Sequence, residues 1–252
     1  MLETIVNLLP DPRLWFVLMF CSILVGFSKT GVAGIGTAVV SIMALSFDAR
    51  PSTGMLLPLL CIADLGAVIY YRRSCSWYHL FRMLGWAIVG LFMGIVIDHF
   101  VPLSMFKYLL AFSIMISVVV LLFNEFGKGQ SDKPRKGWEL AAYGVVGGFA
   151  TMVANAAGPI MSVYLLSIKM PKMLFVGTTA WFFMLLNYTK LPLQIWVWKN
   201  IHYDYLIAAL AMIPFIALGS WFGISLVKRL PEKAYRHMVI GITLVSAILM
   251  LF

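Results

Sequence analysis

The chain has 252 residues, of which 62% are hydrophobic and only 12% charged, with a mean hydropathy of +0.95. That excludes an ordinary soluble domain, in which about a quarter of the residues carry charge. The net charge of +9 does not point to nucleic acid, because the Lys and Arg residues fall between long apolar runs, the distribution that orients a membrane protein.

The opening residues carry no positive n-region and no small-residue cleavage site, so the first apolar run is expected to stay in the protein. From Arg13 to Phe47 is 35 residues. As one helix that is about 52 Å, well beyond the roughly 30 Å of a bilayer core, so the segment must break or turn back. The break is expected at SKTGVAGIG, residues 28–36. Lys29 lies in it with no acidic residue within ten positions on either side. An ammonium at the bilayer centre costs about 2.5–3.5 kcal/mol on insertion scales, so its placement needs a reason.

The next run, 51–63, leads to Asp64, the one carboxylate well inside an apolar stretch. Runs at 83–97 and 108–124 follow, then a polar linker at 124–137. The second long run, 140–168, is interrupted by TMVANAAGP at 151–159, where Pro159 fits the first turn of a resumed helix. Residues 173–189 carry Thr178, Thr179 and Asn187 and lead to Lys190, three positions after Asn187 and on the same helical face. Runs at 205–227 and 238–252 complete the chain. Trp77, Trp138, Trp196 and Trp198 fall near span ends, where indoles favour the headgroup region. Cys21, Cys61 and Cys75 are too scattered for a disulfide framework, and His79, His99, His202 and His237 show no metal-ligand spacing and no partner, so no metal, cofactor or enzyme chemistry is expected.

Cut at the linker, the chain reads as two copies of one plan: 1–123, the linker 124–137, and 138–252. Gly26-Phe27 and Gly36 match Gly148-Phe149 and Gly158 at an offset of 122; Gly54 and Asp64 match Gly177 and Asn187 at 123; Gly90, Gly94 and Pro102 match Gly219, Gly223 and Pro231 at 129. Eight full crossings would divide the positive charges ten against eight, with no bias. If each opening element turns back at its break, leaving six crossings, the division is thirteen against five. The positive-inside rule then makes the thirteen-charge side, with the main basic loop, cytoplasmic and both termini external. Three crossings per copy invert the second copy relative to the first. The expected fold is therefore all-α and polytopic, with two inverted repeats, each a broken or re-entrant helix pair followed by three transmembrane helices. Secondary transporters share that plan and place their sites where the broken elements meet.

At each break the resumed helix turns its N–H groups and positive dipole end toward the bilayer centre, an arrangement suited to an anion. The expected site comprises Ser28, Lys29, Thr30, Gly31, Gly34 and Gly36 from the first break, Asn155, Ala156 and Gly158 from the second, and Thr178, Asn187 and Lys190 from the helix after it. Lys29 has two readings: counter-ion for a negative substrate, or structural partner of Asp64. Asp64 is either the proton-coupling group or a bridge to Lys29 or Lys190, and Lys190 is either a site residue or an interfacial anchor.

GFSKTGVAGIG, its counterpart GGFATMVANAAGPIMSVYLL and the following FVGTTAWFFMLLNYTKLP resemble the TauE/SafE sulfite exporter family, over essentially the whole chain. The sequence departs from the family's denser glycine clusters at ANAAG. The resemblance implies a bacterial inner-membrane carrier of sulfite, sulfonates or related sulfur-containing anions, usually exporting. Its implied partners are the anion, the lipid bilayer and, with Asp64 coupling, protons. An anion channel of the same build and a non-transporting membrane scaffold remain the alternatives.

Overall fold

The structure, a computed structural model, describes residues 12–32, 34–47, 49–98 and 137–249. The 108–124 run, the linker at 124–136, Pro102, Lys107 and His99 lie outside the described residues. Within them the chain is entirely helical, with ten helices and no strand: α1 (Pro12–Thr30), α2 (Ile35–Phe47), α3 (Ala49–Tyr71), α4 (Trp77–Asp98), α5 (Gly137–Ala154), α6 (Gly158–Ser167), α7 (Lys172–Trp196), α8 (Tyr203–Ala211), α9 (Ile213–Arg229) and α10 (Glu232–Leu249).

Both breaks fall inside the expected motifs. The first lies between Thr30 and Ile35, where Gly34 takes φ 112°, a value that L side chains rarely adopt. The second lies between Ala154 and Gly158. There Asn155, at φ 52°, ends α5 in the left-handed conformation that Asn tolerates better than most residues, and proline stands in the first turn of α6.

The arms of each broken pair are unequal. α1 has 19 residues, about 28 Å, and α2 has 13, about 20 Å; α5 and α6 repeat the long-short pattern with 18 and 10. Tyr71, the last residue of α3, donates its hydroxyl to the carbonyl of Thr30, the last residue of α1, at 2.9 Å. Because α2 links the end of α1 to the start of α3, α1 and α3 run in the same direction and α2 runs back between them.

One departure is at 205–227, expected as one uninterrupted run. It is two helices, α8 and α9, meeting at 53°. Pro214 sits in the first turn of α9, where it cannot continue the hydrogen-bond ladder of α8.

α3 packs against α7, and the two run antiparallel. Gly54 near the start of α3 lies against the Asn200 carbonyl just past α7, and Gly177 near the start of α7 lies against the Ser74 carbonyl just past α3. The flanking contacts are reciprocal. α4 clasps α5 and α9 clasps α1, both at glycines where a Cβ would strike backbone: Gly148 against the Ala87 carbonyl, Gly26 against that of Ile216, Gly90 against that of Val145, and Gly219 against that of Ile23. Offsets of 122 and 129 carry each of these contacts onto its counterpart.

Three described helices, Pro12–Thr30, Pro51–Tyr71 and Trp77–Val96, are long and apolar enough to cross a membrane, and the bent α8–α9 pair is either a fourth, broken span or a re-entrant loop. α7 is longer, about 37 Å over 25 residues. Its apolar run, however, is interrupted by Thr178, Thr179, Asn187, Lys190 and Gln194, all buried in the protein. Large apolar side chains point outward instead, among them Leu45, 89% exposed, and Phe16, 71% exposed. An outer surface of that kind suits lipid and not water.

Candidate functional site

The two breaks meet: a Cβ on Gly158, the first residue of α6, would lie 3.3 Å from the Gly34 amide nitrogen. Between them and α3 and α7 is a cavity of about 40 Å³, lined by Ser28, Lys29, Gly34 and Gly36 from the first break, Thr151, Asn155 and Gly158 from the second, and Thr179, Phe183 and Asn187 from α7. One water needs roughly 10–15 Å³ on this measure, so the space admits a small polyatomic ion or a few waters.

The charges form a continuous network. Lys29 Nζ lies 2.8 Å from Asp64 Oδ1 and 4.3 Å from the Phe183 ring centroid. Asn187 Nδ2 donates to the other carboxylate oxygen, Asp64 Oδ2, at 2.6 Å. Lys190 Nζ, fully buried, donates to Asn155 Oδ1, to Thr151 Oγ1 at 3.3 Å and to Asn187 Oδ1 at 3.4 Å. Asn187 thus joins Lys190 to Asp64, and through Asp64 to Lys29, by its two amide ends. Lys29 is the structural partner of Asp64 and is also one of the residues lining the cavity. Lys190 is no interfacial anchor, since its ammonium is locked inside the bundle. Formally, two ammonium groups against one carboxylate leave a surplus positive charge.

The two resumed helices start differently. The Gly36 amide donates to Ser28 Oγ at 3.1 Å, so the hydroxyl expected to meet a ligand also covers the first turn of α2. α6 begins at Ala157 with no side-chain cap, leaving its positive end open beside Gly158.

Five expected residues do not line the cavity: Lys190, whose ammonium bonds to the lining residues Thr151, Asn155 and Asn187, and four more that are placed away from it. Thr30 Oγ1 donates to the Gly26 and Ser220 carbonyls, at 2.9 and 3.0 Å, and so faces α9. Gly31 lies against Gly223, and its carbonyl accepts from Tyr235 Oη at 3.0 Å. Thr178 Oγ1 accepts from the Ser76 amide at 2.9 Å, tying α7 to the 74–76 segment. Ala156 is fully buried without lining the space. Thr151, Thr179 and Phe183 line the cavity without having been singled out for it; the only sequence signal was their helical spacing from Asn155 and Asn187. His79 also has a partner, its Nδ1 lying 2.9 Å from Tyr164 Oη, which makes it a packing residue between α4 and α6.

An apolar exterior around a small polar cavity where two broken helices meet defines a class: a multi-pass membrane protein with a polar site in its interior. The chain belongs to the TauE/SafE sulfite exporter family, whose model, described as Sulfite exporter TauE/SafE, matches residues 18–250. No curated protein and no solved structure matches the chain. The family is one of membrane transporters of sulfite and related sulfur-containing anions.

Proposed function

We propose that the protein is a secondary carrier, working in export, that moves sulfite or a small organosulfonate across the bacterial inner membrane by alternating access. The observation that carries this reading is the formal surplus of two ammonium groups, Lys29 and Lys190, over the Asp64 carboxylate in the network bordering the cavity between the breaks, with Lys29 lining the space itself. A singly charged oxyanion neutralises it. Lys29, Asn155, Asn187 and the open start of α6 are the anion's contacts, with Ser28, Gly34, Gly36, Gly158 and Thr179 shaping the space and Lys190 holding the second charge. Asp64 couples transport to protons: protonated, it releases Lys29 to the anion; ionised, it takes the lysine back.

Alternating access rests on the two copies, 1–123 and 138–252, being inverted relative to one another. The reciprocal glycine contacts and the antiparallel α3–α7 pair support that reading. So does the direct bond between Asp64 and Asn187, which are each other's counterparts at an offset of 123 and would therefore sit at the pseudo-two-fold axis. Both termini are then external and the 124–137 linker cytoplasmic.

The test is flux into liposomes containing the purified protein, preceded by a thermal-shift screen of sulfite, sulfoacetate, taurine, thiosulfate and sulfate. A ligand that binds only the folded state raises the melting temperature by mass action. The expected result is saturable movement of a sulfur oxyanion, driven uphill by a pH gradient. Unsaturable downhill flux would make the protein a channel, and no flux under any gradient would make it a scaffold.

A further inference from the structure

Asn187, Lys190 and Gln194 stand at i, i+3 and i+7 along α7, one face of the helix, and are 1%, 0% and 0% exposed. The first two have partners in the network. Gln194 has none: neither Oε1 nor Nε2 of its side chain meets a hydrogen-bond partner among the described residues. A buried primary amide without partners destabilises a fold, and a leucine of similar bulk would not. Such a group in a membrane interior calls for a role that apolar packing cannot fill.

Its neighbours along the chain share the feature. Trp198 Nε1 and Asn200 Oδ1 are likewise buried without partners, and the Asn200 amide donates to the Gln194 main-chain carbonyl at 3.2 Å, folding this turn back onto the end of α7. Asn200 in turn abuts Gly54 in the first turns of α3. Unpartnered polar groups therefore extend from Lys190 toward the end of the bundle where α3 starts and α7 finishes. The opposite end is different. Tyr71, the position 123 residues before Gln194, has its hydroxyl on the Thr30 carbonyl, and Tyr235 holds that of Gly31. Asn200 Nδ2 also donates to Thr53 Oγ1 at 3.3 Å at the first end, so the difference lies at the equivalent positions themselves: Tyr71 is hydrogen-bonded and the Gln194 amide is not.

Resting on the carrier reading above, we propose that Gln194 is a further substrate-contacting residue, the station at which an oxyanion pauses between the central cavity and this end of the bundle. The amide N–H of Gln194 and the indole N–H of Trp198 are the donors that an oxyanion accepts from, and the Lys190 ammonium one turn away, its own donors taken by Thr151, Asn155 and Asn187, supplies positive charge nearby. A cation would be repelled by that same ammonium.

Two measurements test it. Gln194→Leu in the full chain is expected to melt at or above the wild-type temperature and to keep its sulfite-induced thermal shift, while initial flux into liposomes falls tenfold or more. A purely structural glutamine would leave flux unchanged, and any smaller loss overturns the proposal. Separately, Gln194→Cys with Cys21, Cys61 and Cys75 replaced by alanine is expected to react with a sulfonated thiol reagent, and faster than with a cationic one of equal size. No labelling over hours, or faster cationic labelling, also overturns it. Labelling needs no substrate, so if the wild type neither binds nor moves a sulfur anion the carrier reading fails while the path at Gln194 is still read directly.

Discussion

Lys29 and Asp64 act on each other before either acts on a substrate. Removing one partner of a buried ion pair costs about 3–5 kcal/mol, because the survivor is left uncompensated. Lys29→Met is therefore expected to lower the melting temperature sharply, and Lys29→Met with Asp64→Asn to recover most of the loss without recovering flux; thermal unfolding in detergent beside liposome uptake measures both. Asp64→Asn alone should keep anion binding, since it frees Lys29, but lose acceleration by a pH gradient. At Asn155 the backbone and side chain have separable tasks. Asn155→Gly suits the φ of 52° and Asn155→Ala does not, so the alanine variant should be less stable by about 1 kcal/mol, while both lose the acceptor for Lys190 and with it substrate affinity. Lys29, Asp64, Asn155, Asn187 and Lys190 were legible in the sequence because a charge or amide inside an apolar run has no cheap explanation. The threonines were not. Thr179 Oγ1 bonds the Phe175 carbonyl of its own helix, as threonines in apolar helices commonly do, so nothing in the sequence separates it, lining the cavity, from Thr178, holding a loop.

Among the elements, the most extensive joints are α4 with α5 and α9 with α1, and both depend on glycine. A Cβ at Gly148 would lie 1.8 Å from the Ala87 carbonyl oxygen, and one at Gly26 2.1 Å from that of Ile216, so the helices must separate to admit it. Gly148→Ala and Gly26→Ala are each expected to cost about 1–3 kcal/mol, the range for overpacking. Gly66→Ala, with nothing within 4 Å of the added carbon, should be neutral or slightly stabilising, and thermal unfolding of the three variants decides the point. Both breaks were legible because glycine and proline interrupt a helix by their own backbone chemistry. The unequal arms were not, since hydropathy marks where a run stops being apolar and not how far a helix winds before it turns. The 53° bend at Pro214 escaped for a related reason: no charge interrupts that run, and proline early in a new helix looks, in sequence, like proline within an old one.

For the whole molecule, the positive charges and the direction of α1, α2 and α3 lead to one expectation. Reporters placed at the amino terminus and in the 47–52 segment should face the same side of the membrane, and opposite signals would end the re-entrant reading. Glycines recurring at offsets of 122 to 129 residues suggested a doubled plan, and the paired contacts of Gly26 and Gly148 and of Gly90 and Gly219 follow those offsets. What those glycines touch was not legible, because a repeat states which positions are equivalent and is silent on whether each copy packs on itself or on its twin. Here each clasps the other, and that has a consequence for biosynthesis. Thr30 meets Ser220 across 190 residues of chain. At roughly 5–20 residues per second, α1 waits on the order of 10–40 s after its own synthesis before the ribosome delivers α9. Through that interval its glycine groove has no α9 to fill it, so the nascent first half is an incompletely packed intermediate.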